Sequence, residues 1–398
     1  MLIERDLAPT LAAAARSWPA VTLTGPRQSG KTTLCMQAFG DHPHVSLEAP
    51  DVRAFAVDDP RGFLAQFENG AVIDEVQRVP ELLSYLQGAI DADPTPGRWI
   101  LTGSHNLALL QSVSQSLAGR TAVLHLLPLS RSESTRFADC PGSLDETLLV
   151  GGYPAILDRG FEPSDWLAAY MATYLERDVR TITNVGDLNT FNRFVQLCAG
   201  RSGQLLNYSA LAGDCGISQP TAKAWLSVLE ASYIVFRLDA FATNTRKRLV
   251  RMPKLHFYDS GLACWLLGIR EPGQLHSHPL RGALFETWVA SEIVKHRANR
   301  GRRGGVSHYR DRSGTEVDIV VERTEGTTAR MALVEARATA TPNSRLLDGP
   351  RRVRAYLADS HEDISAVAVY GGAETQHRSD GSLVAWDKLH LSPRLAPT

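Results

Sequence analysis

Hydrophobic and polar positions follow three patterns along the chain, and the first covers residues 1–135. Short apolar, β-branched runs alternate there with stretches of helical periodicity at 31–39 and 80–90. The strand-like runs are Val21–Thr24, His44–Leu47, Ala71–Ile73, Trp99–Thr102 and Ala122–Leu126. Strands that alternate with helices predict a parallel, doubly wound sheet. We therefore expect an α/β multidomain protein whose first domain spans residues 1–135.

Helical patterns dominate the middle of the chain. Residues 136–189 are expected to form a helical connector that contains the amphipathic stretch Trp166–Arg180. Residues 190–272 then contain three helical segments followed by two strands: Thr190–Ala199, Tyr208–Cys215, Gln219–Ala231, Ile234–Leu238 and Leu255–Tyr258. Ser218 and Pro220 are typical of the start of the third helix. Three helices followed by a hairpin predict a winged helix.

The third pattern begins after a segment rich in Gly, His and Pro. This segment, Pro272–Pro279, predicts a linker. A helical stretch and strand-like runs follow it at Leu284–His296, Thr315–Val321, Ala329–Ala336 and Ile364–Tyr370. Residues 280–398 are therefore expected to form a separate α/β domain.

Composition narrows the class of protein but identifies no partner. The chain has 398 residues, 43% of them hydrophobic, and a net charge of −1, which is typical of a soluble protein with several cores. Its five cysteines form no C-x-x-C pair, which favours a reduced, cytoplasmic protein. No apolar run approaches the roughly 18 residues of a membrane helix, and the first residues lack the features of a signal peptide. We expect no membrane insertion.

Basic residues cluster in two places. The first cluster consists of Arg246, Lys247, Arg248, Arg251 and Lys254. The second runs from Lys295 to Arg312, with Asp311 as its only acidic residue. Such runs are typical both of solvated loops and of surfaces that contact nucleic acid, so the charge pattern leaves both interpretations open.

A phosphate-binding loop follows the first predicted strand. The pattern G-x-x-x-x-G-K-T predicts a nucleotide site formed by Gly25, Pro26, Arg27, Gln28, Ser29, Gly30, Lys31, Thr32 and Thr33. Its glycines allow backbone N–H groups to surround phosphate, and the following helix adds a favourable dipole. Lys31 is expected to reach the β- and γ-phosphates of ATP, and the Thr32 hydroxyl to bind Mg²⁺.

Two carboxylates follow the apolar strand Ala71–Ile73. Asp74 is expected to hold Mg²⁺ through water, and Glu75 to orient or polarise the attacking water. A single carboxylate at this position would be typical of an ordinary solvated turn. A pair of carboxylates in a chain that also has a complete phosphate-binding loop indicates a hydrolytic site.

Three further polar residues are candidates for sensing the nucleotide. Ser104 and Asn106 follow the strand Trp99–Thr102, where they could contact the γ-phosphate or cap the next helix. Arg120 is the candidate arginine finger or sensor, with a surface salt bridge as the alternative.

Taken together, these motifs resemble one known group, the bacterial and archaeal AAA-type P-loop ATPases with a C-terminal DUF4143 domain. The matching blocks occur in order along nearly the whole chain: Gly25–Thr33, Val72–Gln77, Ile100–Ser104, Ser116–Arg120, Gly151–Pro154, Tyr174–Asp178, Lys254–Leu262 and Gly314–Asp318. The resemblance implies an AAA-type ATPase domain that uses ATP and Mg²⁺.

The resemblance also implies a PD-(D/E)xK nuclease-like, or restriction-endonuclease-like, C-terminal domain. Such sites bring an Asp on one strand and E-x-K on the next close to one Mg²⁺. Asp318, Glu335 and, on the preceding helix, Glu286 fit this pattern, but Arg337 lies where the lysine is expected. Arg stays protonated and has a wider head group than lysine. A domain that binds DNA or protein without cleavage is therefore an equally good interpretation.

The predicted winged helix offers candidate DNA contacts. Gln219, Thr221 and Lys223 would face a groove, and Arg246, Lys247 and Arg248 would contact phosphates from the wing. The alternative is a fold that only joins domains.

Three functional hypotheses follow. The first is an Mg²⁺-dependent ATPase whose hydrolysis moves the winged helix and the nuclease-like domain on a nucleic-acid or protein partner. The second is an ATP-dependent regulator with slow turnover, and the third is an ATP-gated DNA nuclease. Assembly into a homo-oligomer stays open in all three.

Overall fold

The structure, a computed structural model, describes residues 3–104, 113, 116–175, 188–241, 252–325, 328–358, 361 and 363–395. The chain divides into two compact units. The first contains Met1–Pro128 together with Ala231–Tyr233 and Ala298–Arg302; the second contains Leu129–Glu230, Ile234–Arg297 and Arg303–Thr398. The predicted domain boundaries at residues 135, 189 and 272 stay predictions.

A five-stranded parallel sheet with strand order β2-β3-β4-β1-β5 forms the centre of the first unit. Its strands are β1 (Ala20–Thr24), β2 (His44–Ser46), β3 (Ala71–Asp74), β4 (Trp99–Gly103) and β5 (Thr121–His125). Its helices are α1 (Ala8–Ser17), α2 (Lys31–Ala38), α3 (Pro50–Asp58), α4 (Pro60–Ala65) and α5 (Leu82–Ala92).

Helices cover both faces of this sheet because successive strand residues point to opposite sides. Ile73 and Leu101 pack on one face in a cluster that includes helix α5. Val72 and Ile100 pack on the other face in a cluster that includes α1 and α2. The predicted parallel, doubly wound sheet is confirmed.

Two distant segments of the chain complete the first unit. The Tyr233 hydroxyl lies 3.0 Å from Thr24 Oγ1 and 2.7 Å from His125 Nδ1, at the ends of β1 and β5. Thr10 Oγ1 donates to the carbonyl oxygen of Asn299 at 2.7 Å. The first 128 residues are thus only part of this unit.

The second unit begins with helices and a small antiparallel sheet. Its first helices are α6 (Arg131–Ser134), α7 (Leu144–Val150), α8 (Pro154–Arg159), α9 (Pro163–Tyr170), α10 (Leu188–Gly200), α11 (Tyr208–Cys215) and α12 (Gln219–Ala231). The strands β6 (Gln204–Leu205), β7 (Val235–Leu238) and β8 (Lys254–Phe257) pair in the order β6-β8-β7.

The predicted helices and hairpin of this region are confirmed, and β6 was not predicted. Thr221 N donates to Ser218 Oγ at 3.2 Å, so Ser218 caps α12 as expected. The long helix predicted for Trp166–Arg180 differs: α9 is followed by one π-helical turn over Met171–Leu175, and residues 176–180 lie outside the described residues.

The prediction of a linker at Pro272–Pro279 is wrong, because Pro272–Ser277 forms a helix, α14, after α13 (Ser260–Leu266). Proline suits the first helical position, where its missing N–H is not needed. The Gln274 side chain accepts from Arg270 N at 2.8 Å, and Leu275 is fully buried. Gly and Pro here shape a helix start and not a flexible connection.

A six-stranded mixed sheet with order β13-β14-β12-β11-β10-β9 ends the second unit. Its strands are β9 (Val306–Arg310), β10 (Glu316–Glu325), β11 (Thr328–Arg337), β12 (Asp363–Tyr370), β13 (Gln376–Arg378) and β14 (Gly381–Ala385). Helices α15 (Arg281–Ala298) and α16 (Asp348–Leu357) accompany this sheet in the second unit. The helix and the three strands predicted here are confirmed, whereas β9, β13, β14 and α16 were missed.

Across the described ranges, no helix combines the length and apolar character needed to cross a lipid bilayer.

Candidate functional site

The phosphate-binding loop joins β1 to α2 with a backbone that requires its two glycines. Gly25 has a φ of +153°, and a Cβ there would lie 2.1 Å from the carbonyl oxygen of Leu126. Gly30 precedes α2 with a φ of +93°. Both conformations disfavour any side chain. The backbone conformation of the loop therefore requires glycine at these two positions, in addition to the requirement of phosphate binding.

Lys31 lies at the first position of α2 and is almost fully buried. Its Nζ donates to the carbonyl oxygens of Gly25 at 3.0 Å and Pro26 at 2.7 Å. Burial lowers the pKa of Lys31 to about 8, although Glu75 and Asp74 partly offset this effect. The ammonium group thus lies within the loop, at an unusual cost in desolvation.

The remaining loop residues differ in exposure. Pro26 and Ser29 are buried, and Ser29 Oγ donates to the Pro26 carbonyl at 2.9 Å. Arg27 is half-buried, whereas Gln28 and Thr33 are exposed. Side-chain burial thus varies within the predicted nine-residue set.

Asp74, at the end of β3, lies between two hydroxyl groups. Thr32 Oγ1 donates to Asp74 Oδ2 at 3.2 Å, and Thr102 Oγ1 donates to Oδ1. Strands β3 and β4 are parallel neighbours, so their carboxyl ends meet at the same edge of the sheet. A carboxylate and a hydroxyl beside a phosphate-binding loop are oxygen ligands that Mg²⁺ accepts, and Thr32 and Asp74 therefore fit the predicted role.

Glu75 and Ser104, which follow the neighbouring strands β3 and β4, are brought together. Ser104 Oγ donates to Glu75 Oε2 at 3.1 Å, and Gln77 Nε2 donates both to this carboxylate oxygen and to Ser104 Oγ. Glu75 has a φ of +56°, in the left-handed region that residues other than glycine rarely adopt. Local strain thus directs its carboxylate toward Ser104.

Arg5 is a member of this region that the sequence motifs did not indicate. Its guanidinium is buried and donates to the carbonyl oxygens of Ser29 at 2.6 Å and Leu127 at 2.8 Å. These bonds join the phosphate-binding loop to the chain that follows β5. A lone arginine near the start of a chain carries no pattern from which this contact could be predicted. Thr102 and Gln77, by contrast, lie inside the quoted motifs.

Arg120 lies at the wrong end of the sheet for a sensor in its own site. It immediately precedes β5, whose first residue pairs with the first residue of β1, whereas the phosphate-binding loop follows the last residue of β1. Its guanidinium forms a two-point salt bridge with Asp91, at 2.6 and 2.9 Å, on the exposed surface. The sensor assignment is therefore corrected, while a finger role toward another copy stays a prediction. Asn106 lies outside the described residues.

A second charged cluster lies in the second unit, at the predicted nuclease-like residues. Glu286 of α15 and Asp318 of β10 both contact Lys254, a residue that was not predicted to belong to this site. Lys254 Nζ, on β8, lies 2.8 Å from Glu286 Oε1, 2.5 Å from Glu316 Oε1 and 3.5 Å from Asp318 Oδ1. Lys254 appeared in the first basic cluster, and the structure shows it buried within a strand.

Arg337 forms the other side of this cluster. Its guanidinium lies 3.2 Å from Asp318 Oδ2 and also pairs with Glu335. Burial, together with the negative charge of Asp318, raises the pKa of Glu286 and of Glu335 to about 8 in each case. Within the described ranges, no group of three or more His, Cys, Asp or Glu side chains is arranged to hold a metal ion. The carboxylates expected around Mg²⁺ instead contact two cations of the chain itself.

The predicted DNA contacts of α12 are partly accessible. Gln219 and Lys223 are exposed, and the Lys223 ammonium lies 5.6 Å from the centre of the Tyr208 ring. Thr221 is half-buried, and its hydroxyl lies 2.7 Å from Ser218 Oγ at the helix cap. Arg246, Lys247 and Arg248 lie outside the described residues.

Comparisons with known proteins agree with the order of these features. Three family models match the chain: an AAA domain over residues 17–135, a domain of unknown function (DUF8612) over residues 142–273 and a domain of unknown function (DUF4143) over residues 281–389.

Individual relatives extend over most of the chain. Uncharacterised proteins of Mycobacterium tuberculosis and Mycobacterium bovis are each 32% identical over 347 residues, or 86% of this chain and 76% of theirs. Among solved structures, a Walker-type ATPase of Pyrococcus abyssi aligns with a TM-score of 0.45 and 15% identity, over 67% of this chain and 96% of that one. The chain belongs to the family of AAA-type P-loop ATPases that carry a C-terminal DUF4143 domain.

Proposed function

We propose that this chain hydrolyses Mg²⁺·ATP at the loop Gly25–Thr33 and uses the cycle to change how its second unit engages a nucleic-acid or protein partner. One observation carries the proposal: the hydroxyl of Thr32 and the carboxylates of Asp74 and Glu75 converge beside a glycine-constrained phosphate-binding loop. Membership of the AAA family supports ATP binding and hydrolysis in general. The roles of individual residues and the coupling are our inference.

Each residue has a definite role in this scheme. Lys31 would leave the loop carbonyls and pair with the β- and γ-phosphates of ATP. The negative charge of the phosphates would then stabilise the ammonium group, which burial destabilises. Thr32 and Asp74 would hold Mg²⁺, which when bound neutralises charge developing on the phosphates. Glu75 would accept a hydrogen bond from the attacking water and so orient it. Ser104 would donate a hydrogen bond to the same carboxylate.

The substitution Glu75→Gln tests this mechanism, since the amide keeps the shape of the side chain and removes its charge. We expect the steady-state hydrolysis rate to fall by about 100-fold or more, as for removal of a general base. ATP affinity, measured with a fluorescent nucleotide, should stay within about threefold, because ground-state phosphate contacts do not involve Glu75. An unchanged hydrolysis rate with intact ATP binding would contradict the mechanism.

A regulator with slow turnover is the second candidate, and one observation favours it. Ser104 and Gln77 both donate to Glu75 Oε2, so this oxygen must be released from them before it can orient the attacking water. A single-turnover measurement on the wild-type chain, with and without added DNA, separates the two. Rapid basal turnover supports the first candidate, whereas turnover that needs the partner supports the regulator.

The proposed partner engages the helices and hairpin within residues 190–272. Helices α10 to α12 followed by the β7–β8 hairpin support a winged-helix interpretation, in which exposed Gln219 and Lys223 contact a groove. The Glu75→Gln chain, held on ATP, should retain its partner in a pull-down. Recovery of DNA or of a specific protein would identify the class of partner, and recovery of a second copy of the chain would support trans action by Arg120.

A further inference from the structure

The carboxylate cluster of the second unit contains a lysine ammonium at its centre. Lys254 Nζ contacts one oxygen each from Glu286, Glu316 and Asp318, at 2.8, 2.5 and 3.5 Å. These residues come from separate elements, since Lys254 lies on β8, Glu286 on α15, and the other two on β10. Only 3% of the Lys254 side chain is exposed, so solvent ions cannot replace it freely.

The remaining oxygens of Asp318 and Glu335 are largely engaged as well. Asp318 Oδ2 accepts from the backbone N–H of Ala336 at 3.0 Å and from Arg337 Nη1 at 3.2 Å. Glu335 Oε1 pairs with the second guanidinium nitrogen of Arg337. Mg²⁺ requires several oxygens at about 2.0–2.1 Å in near-octahedral positions. Both Asp318 oxygens already serve cations or N–H groups of the chain, and the arrangement does not fit a metal ion.

We propose that Lys254 is a built-in cation that takes the position of a divalent metal ion in this cluster. Lys254 then joins β8 to α15 and β10 as a metal-independent ionic joint, and Arg337 closes the opposite side. In this arrangement the C-terminal domain neither binds Mg²⁺ at Asp318 and Glu335 nor cleaves phosphodiesters there.

The charge balance of the cluster agrees with this assignment. The carboxylates of Glu286, Glu316, Asp318 and Glu335 face Lys254 and Arg337, and Arg310 Nη1 lies 3.7 Å from Glu316 Oε2. Burial, together with the negative charge of Asp318, raises the pKa of Glu286 and of Glu335. Basic side chains of the chain itself thus offset the carboxylate charge that a divalent cation would otherwise offset.

The experiment compares the full-length wild type with Lys254→Met and Lys254→Met/Asp318→Asn, all without nucleotide, with Mn²⁺ as the probe. We expect Lys254→Met to bind Mn²⁺ at least about tenfold more tightly than the wild type in calorimetry, because three carboxylates lose their internal cation. Its unfolding temperature should rise on addition of Mn²⁺. The double variant should lose this gain, which assigns it to the cluster.

If Lys254→Met does not fold, the wild type and Asp318→Asn decide the question. Our proposal requires both to bind Mn²⁺ alike and to lack Mg²⁺-dependent cleavage of DNA. Mn²⁺ binding or DNA cleavage in the wild type that Asp318→Asn abolishes would overturn it. Neither measurement involves ATP, so failure here leaves the proposed ATPase function untouched, and failure of the Glu75→Gln test leaves this inference untouched.

Discussion

The buried ammonium of Lys31 predicts that ATP affinity falls as pH rises above neutral. Burial lowers the pKa of Lys31 to about 8, against a model-compound value of 10.5. Phosphate binding requires the charged form, so above pH 8 the free protein must take up a proton before ATP can bind. The sign is therefore fixed: affinity is fully developed below the pKa of the free protein and is lost progressively above it.

The magnitude follows from the charged fraction of Lys31. This fraction falls from about nine-tenths at pH 7 to about one-tenth at pH 9, which corresponds to a roughly tenfold weaker affinity, or about 1.4 kcal/mol. A fluorescent ATP analogue titrated at several pH values measures it directly. Burial raises the pKa of the nearby Cys35 thiol to about 12, so that group does not titrate in the same range.

A matched variant isolates the contribution of the lysine. Lys31→Arg keeps a positive charge that does not titrate below about pH 12, so its affinity, whatever its absolute value, should be flat between about pH 7 and pH 9. Wild-type affinity that is also flat over this range would refute the reasoning, because the ammonium would then be fully charged in the free protein. An equal fall in both proteins would assign the effect to another group.

Two other substitutions test contacts described above. Arg5→Ala removes two charge-assisted hydrogen bonds to the carbonyl oxygens of Ser29 and Leu127, and we expect ATP affinity to fall about tenfold with a smaller effect on kcat. Arg5→Lys should restore only part of the affinity, because one ammonium group does not reproduce the two-point contact of a guanidinium. Full restoration by Arg5→Lys would show that the charge alone matters, and an unchanged affinity with a lower unfolding temperature would show that Arg5 serves only the fold. Arg120→Ala should leave the hydrolysis rate of a dilute, monomeric sample unchanged within about twofold, since it removes only an exposed ion pair; a large loss in monomers would return Arg120 to the active site, and a loss seen only in assemblies would support a finger acting between copies.

The candidate nucleotide site can be read from the sequence because its residues are local. Gly25, Gly30 and Lys31 lie within one loop, and Asp74 and Glu75 follow one strand, so adjacent residues carry both the fold and the function. Parallel strands bring their carboxyl ends together, which is why Ser104 could be predicted to lie where it contacts the γ-phosphate.

Contacts between distant residues could not be read in this way. Arg5 and Ser29 are 24 positions apart, and Lys254 and Asp318 are 64 positions apart. Lys254 also belonged to a run of basic residues, where charge patterning predicts solvent exposure. Only tertiary packing shows that this lysine is buried. The linker at Pro272–Pro279 failed for a related reason, because Pro and Gly mark helix starts as well as loops.

The composition of the first unit has a practical consequence for work on isolated fragments. Cutting the chain after Pro128 would remove Tyr233, whose hydroxyl satisfies Thr24 and His125, and Asn299, whose carbonyl accepts from Thr10. Thr24 directly precedes the phosphate-binding loop, so such a fragment would lose these hydrogen bonds next to the nucleotide site. A recombinant ATPase domain should therefore carry these two short segments as grafts, or enzymology should be done on the uncut polypeptide.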